Sequence, residues 1–68
     1  MQVTAFYRDM NDYQSFVNKV AKQDIHDDIM HYKSQKKLVI DISAGLEDDA
    51  ESFFIAERFR GRKLIIDG

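Results

Sequence analysis

The sequence predicts an α+β fold, a two-layer sandwich in the order β-α-β-β-α-β with an antiparallel sheet and two helices on one of its faces. Three observations predict it. The stretch from Lys36 to Ser43 places Leu38, Ile40 and Ile42 at period two, with Val39, Asp41 and Ser43 on the opposite face, which marks a central strand. Two other stretches, Tyr13 to Ala21 and Leu46 to Phe59, repeat apolar side chains at helical spacing. Gly45 and Gly61 punctuate the chain where strand gives way to helix and helix to strand.

The elements follow in order. Gln2 to Arg8 alternates, Val3, Ala5 and Tyr7 against Thr4, Phe6 and Arg8, and reads as a first strand. Asn11 offers a side-chain oxygen as helix cap, with Gln14 in the reciprocal capping-box position. The helix that follows turns Tyr13, Phe16, Val17 and Val20 to one side, with Ala21 at the edge. Ile25, Ile29 and Tyr32 lie about 100° or more around from that stripe, so one straight helix would wind its apolar side off the core. The reading is therefore a break near Asp24, a strand from about Asp28 to Lys33, and a hairpin through Ser34 and Gln35 into the central strand. In the second helix Leu46, Ala50, Phe53 and Phe54 form the stripe, broadened by Ile55, Ala56 and Phe59. Its acids, Glu47, Asp48, Asp49 and Glu51, crowd the first turns, while Arg58 and Arg60 occupy the last, as the helix dipole favours. Lys63 to Asp67 closes the chain as a last strand. Periodicity leaves two strand orders open, the ferredoxin-like one and that of the related open-faced sandwich.

With 68 residues the chain has room for one domain, residues 1 to 68. A core of that size holds only about 3–5 kcal/mol of net stability. The absence of cysteine excludes disulfides and thiolate chemistry and points to a reducing, cytoplasmic compartment. No apolar run has the length of a membrane span and no secretory leader is legible, so no membrane role is expected. A net charge of −2 conceals 12 acidic and 10 basic residues, so any electrostatic function lies in their arrangement.

That arrangement follows from the topology. Three connections emerge at one end of the sandwich, carrying Arg8, Lys33, Lys36, Lys37, Arg58, Arg60, Arg62 and Lys63. The other end receives Asp24, Asp27, Asp28, Glu47, Asp48, Asp49 and Asp67. The expected molecule is bipolar, and Arg8, Lys36, Lys37, Arg58, Arg60, Arg62 and Lys63 are the candidate partner- or anion-binding residues. Ordinary capping electrostatics account for about half of the pattern.

Chemistry is sparse elsewhere. His26 and His31 near Asp24, Asp27 and Asp28 hold zinc-type ligands, but their spacing fits no closed frame and a strand would turn the two histidines to opposite faces, so no metal is expected. Ser15, Ser34, Ser43 and Ser52 stand in no nucleophile elbow, and the isolated Gly45, Gly61 and Gly68 draw no phosphate loop, so neither an enzyme nor a cofactor is expected. Base stacking of the kind RNA-binding sheets use needs aromatic residues on central strands, and Lys36 to Ser43 contains none. A two-layer sandwich leaves one sheet face uncovered, where Phe6, Val39 and Ile65 would form an apolar patch for a partner or a second copy.

The run from Phe16-Val17 through Asp28-Ile29 and Lys36-Lys37 to Ser43 resembles the middle of the histidine-containing phosphocarrier (HPr) family, which has the same element order followed by a third helix. That family carries its phosphorylated histidine in a His-Ala-Arg-Pro turn before the first helix. Here the corresponding turn reads Tyr7-Arg8-Asp9-Met10. The resemblance thus implies an HPr-like open-faced scaffold without its phosphoryl chemistry. The functional expectation is a small non-enzymatic interaction or regulatory protein that binds a protein partner, or a second copy as a homodimer, through the open face or a charged pole. Nucleic-acid or anion binding at the basic end is the alternative.

Overall fold

A computed structural model describes residues Met1 to Gly68. It contains β1 (Gln2–Phe6), α1 (Met10–Gln23), β2 (His26–Tyr32), β3 (Lys37–Ile42), α2 (Glu47–Phe59) and β4 (Leu64–Asp67), with one short 3-10 turn at Lys33–Gln35 between β2 and β3. The four strands form one sheet in the order β2-β3-β1-β4, and every neighbouring pair is antiparallel. β1 and β2 therefore run parallel with β3 between them, and β3 and β4 run parallel with β1 between them. These two split β-α-β units make the ferredoxin-like arrangement.

The break after α1 is sharp because Asp24 takes a left-handed conformation (φ 52°) and its N–H closes on the Ala21 carbonyl at 3.2 Å. Ile25 then drops into the core and β2 begins. The start of α1 differs from the capping expected at Asn11. Asp9 holds the extended cap backbone, and its carboxylate accepts the Asp12 N–H at 2.9 Å. Asp12 returns the interaction by accepting the Arg8 N–H at 2.9 Å, so two acids share the work expected of Asn11 and Gln14.

The core lies between the sheet and both helices. Val3, Ala5, Leu38, Ile40, Ile42 and Leu64 supply its floor, and Phe16, Val20, Ala50 and Phe54 descend from the helices. The Phe16 and Phe54 rings meet edge-on at 6.4 Å between centroids, a favourable aromatic geometry that joins α1 to α2. The stripe of α2 is narrower than expected. Ile55, Ala56 and Phe59 turn outward, Phe59 being 93% exposed, and the third buried position after Ala50 and Phe54 is an acid, Glu57.

One local irregularity resets a face. The pairing of β2 with β3 shifts between His26 and Asp28, so Asp27 is an extra residue on β2. A bulge of one residue reverses side-chain parity. His26 and His31 consequently share the helix-facing side, opposite Ile42 and Leu38, where the uninterrupted strand of the sequence reading would have separated them. No helix is long and apolar enough to cross a membrane.

Candidate functional site: the basic end and the open sheet face

The three connections expected to converge do so. Tyr7 N–H donates to the Lys36 carbonyl and Phe6 N–H to the Lys63 carbonyl, each at 3.0 Å, and Lys36 Nζ reaches the Arg8 carbonyl at 3.3 Å. Around this junction lies a cleft of about 430 Å³ whose wall includes Arg8, Lys19, Arg60, Arg62 and Lys63. Its floor is not purely basic, because Asp12 and Glu57 stand among the cations.

Arg62 is the centre of this end and is not a free cation. Its guanidinium grips Asp12 with two nitrogens, at 2.8 and 3.2 Å, and donates to the Phe6 carbonyl at 3.1 Å. Its Nε lies 3.5 Å from Glu57, an ion-pair distance without a formed hydrogen bond, and its Cζ lies 4.1 Å from the centroid of the Phe16 ring. Only 15% of the side chain is exposed. Glu57 is 4% exposed at its side chain and also accepts from Lys19 and Arg60, each at 3.0 Å. The α2 helix tolerates an acid on its inner face because three cations, Lys19 of α1, Arg60 at its own C-cap and Arg62 of the α2–β4 loop, surround it.

Both carboxyls titrate below their ordinary range. For Asp12 the hydrogen bonds from Arg62 are the main cause and outweigh the partial burial that opposes them. For Glu57 burial is the largest single influence and pushes upward, but the combined bonds and charges of Lys19, Arg60 and Arg62 prevail and the net shift is downward. An anion entering the cleft would compete with two ionised carboxylates for the same donors.

The other candidates divide accordingly. Arg58 donates to the Leu64 carbonyl at 3.2 Å and ties α2 to β4. Arg60 is half of an ion pair with Glu57, and Arg8 lies 3.9 Å from Asp12 with a side chain that is 90% exposed. Lys37 and Lys63 make no ion pair and reach over the rings of Tyr32 and Phe6, at 5.3 and 4.8 Å, on the opposite side of the sheet from the helices.

That side is the uncovered face, and the strand register orders it into three rows across the sheet. At the basic end lie Tyr32, Lys37, Phe6 and Lys63. The middle row is Met30, Val39, Thr4 and Ile65, in which Met30 is 39% and Ile65 55% exposed. The far row is Asp28, Asp41, Gln2 and Asp67. Phe6, Val39 and Ile65 thus stand where the alternation placed them, and Met30 and Tyr32 enlarge the patch. Asp28 stands directly opposite Asp41, a like-charge cross-strand pair that costs stability. None of the five ion pairs of the chain includes an open-face charge.

His31 is engaged on the helix side, where Tyr7 and its Nε2 are hydrogen-bonded at 2.6 Å and Tyr13 stacks on its ring at 4.2 Å. No group of three or more histidine or acidic side chains is arranged to hold a metal ion. Sequence reading missed the half-buried Asp12 and the buried Glu57. The available signal for Glu57 was its place seven residues after Ala50 and three after Phe54, on the apolar side of α2. Comparison with family models, with curated proteins and with solved structures returns no match.

Proposed function

We propose that this chain is a non-enzymatic interaction module that binds a protein partner through the open face of its sheet. The observation that supports the reading is the contrast in charge pairing. At the cleft, Arg8, Lys19, Arg60 and Arg62 pair with Asp12 and Glu57, whereas Lys37, Lys63, Asp28, Asp41 and Asp67 flank the row of Met30, Val39, Thr4 and Ile65 and have no ionic partner in the chain. An apolar strip rimmed by unpaired charge is the composition of a binding surface. The test immobilises the wild-type chain, Ile65→Glu and Phe59→Glu, and compares the proteins each retains from its own cells, further copies of the chain included. Retention by wild type and Phe59→Glu with loss in Ile65→Glu supports the reading; the same retained set with Ile65→Glu, or none with wild type, contradicts it.

The alternative, nucleic-acid binding toward the basic end, draws support from one observation. Phe6 and Tyr32 lie in the same row as Lys37 and Lys63, which supplies π-faces beside phosphate-binding cations. Arg8, Lys36 and Arg60 would extend that contact. Such binding would weaken steeply with salt and fall when Lys37 and Lys63 are changed to Glu. The aspartate row opposes it, since a strand running across the face would meet three carboxylates.

A further inference from the structure

We propose that the occupant of the open face is a second copy of this chain, docked face to face with its strands reversed, so that the lysine row of each protomer lies over the aspartate row of the other. The proposal rests on the reading of this face as the binding surface and names its partner. Its basis is a symmetry in the register. The middle row of Met30, Val39, Thr4 and Ile65 is two residues along each strand from the row on either side. A two-fold axis laid along that row, between two sheets, brings each strand over its own counterpart and exchanges the outer rows. Lys37 then meets the partner copy's Asp41 position, Lys63 the Asp67 position, and the Tyr32 hydroxyl the Asp28 position. In the middle rows Met30, Val39 and Ile65 meet their own counterparts as apolar on apolar, and Thr4 meets Thr4. Such an isologous contact repeats every charge match twice, and aligned sheets pack in this way about 10 Å apart.

Within the chain Asp41 accepts only from the neutral Gln2 amide at 3.0 Å and none of these charges forms an ion pair, so the opposed carboxylates of Asp28 and Asp41 gain a counter-charge only from outside. A single-stranded nucleic acid would match the lysine row and be repelled by the aspartates; a second copy matches both. The footprint is small. Four strands at about 4.8 Å spacing and five residues at about 3.3 Å rise cover roughly 300 Å², well below the roughly 800 Å² per partner of a standard interface. The association is therefore weak, concentration-dependent and sensitive to salt.

The experiment is sedimentation of the full chain over a wide concentration range, with three proteins compared. Wild type dimerises as concentration rises. The half-variant Lys37→Asp with Lys63→Asp sets acid against acid, and its dissociation constant rises about tenfold or more. The full exchange, adding Asp41→Lys and Asp67→Lys to the same chain, restores the match at unchanged net charge and regains the wild-type dissociation constant. Circular dichroism on each variant confirms that it is folded, and if the full exchange is not, an equimolar mix of the half-variant with Asp41→Lys/Asp67→Lys is read instead for heterodimers. A wild type that remains monomeric at its highest soluble concentration overturns the proposal, as does a dimer that the half-variant leaves intact. If the chain is monomeric but Ile65→Glu still abolishes retention of some other protein, the second copy is wrong and the binding face stands. If neither association exists, both fall.

Discussion

The basic end and the open sheet face carry the same kinds of charged residue and treat them in opposite ways. At the basic end Arg62, Asp12, Glu57, Lys19 and Arg60 close on one another within 2.8 to 3.5 Å, around an Arg62 that packs on Phe16 and donates to the Phe6 carbonyl. On the face, Lys37 and Lys63 lie over exposed rings, while Asp28 and Asp41 oppose each other without a cation. The difference teaches that a cluster of charge in a sequence is not yet a site. Charges satisfied within the chain build the scaffold, and those left without partners are the ones that can act outward.

The largest expected effect comes from the scaffold side. Arg62→Ala takes the bidentate partner from the largely covered Asp12 and removes a loop tether, while Glu57 keeps Lys19 and Arg60; the loss approaches the about 3–5 kcal/mol of a broken buried pair. That is comparable to the whole stability of a domain of this size, so urea unfolding should find the variant largely unfolded in buffer. Lys37→Ala and Lys63→Ala, by contrast, give up only exposed cation–π contacts and should each cost at most about 1 kcal/mol.

A pH series probes the carboxylates of the basic end. Asp12 and Glu57 have lowered folded-state pKa values, so their contribution is present above the unfolded carboxylate range near 4 and is lost as pH falls through the lower folded values. Thermal melting of the wild type should therefore decline below about pH 5, and Asp12→Asn or Glu57→Gln should flatten that decline at a cost in stability at neutral pH. A variant with an unchanged acid limb would mean that neither carboxyl is held by its neighbours.

The smallest effect is expected at Phe59. Its side chain reaches solvent, so Phe59→Ser should change the unfolding free energy read from urea titration by no more than about 0.5 kcal/mol. A large loss there would show that the α2 surface is buried by something the monomer does not contain.

Much of the fold was legible because its signals are local. The alternation of Leu38, Ile40 and Ile42 and the angular offset of Ile29 from Phe16 each follow from a few neighbouring residues, and they place β3 and the break at Asp24. The choice of cap was not legible, since Asp9 and Asn11 offer similar oxygens and only the extended backbone at Asp9 decides between them. Nor was the bulge at Asp27, because one unpaired residue leaves no mark on the composition of the strand. The charge map was half visible. Topology located the cations, but the neutralisation of Arg62 depends on Asp12, which is 50 residues away, and that of Glu57 on Lys19, 38 residues away. The open-face row was readable from parity at Phe6, Val39 and Ile65; its alignment with Met30 and with the flanking charge rows needed the register between strands.

The most direct measurement places a photo-crosslinking side chain at Ile65, in the middle row of the open face, and separately at Arg60, on the rim of the cleft. The difference between the two regions predicts protein adducts from position 65 and few or none from position 60. Adducts concentrated at position 60, with position 65 silent, would contradict it and make the paired charges the working surface.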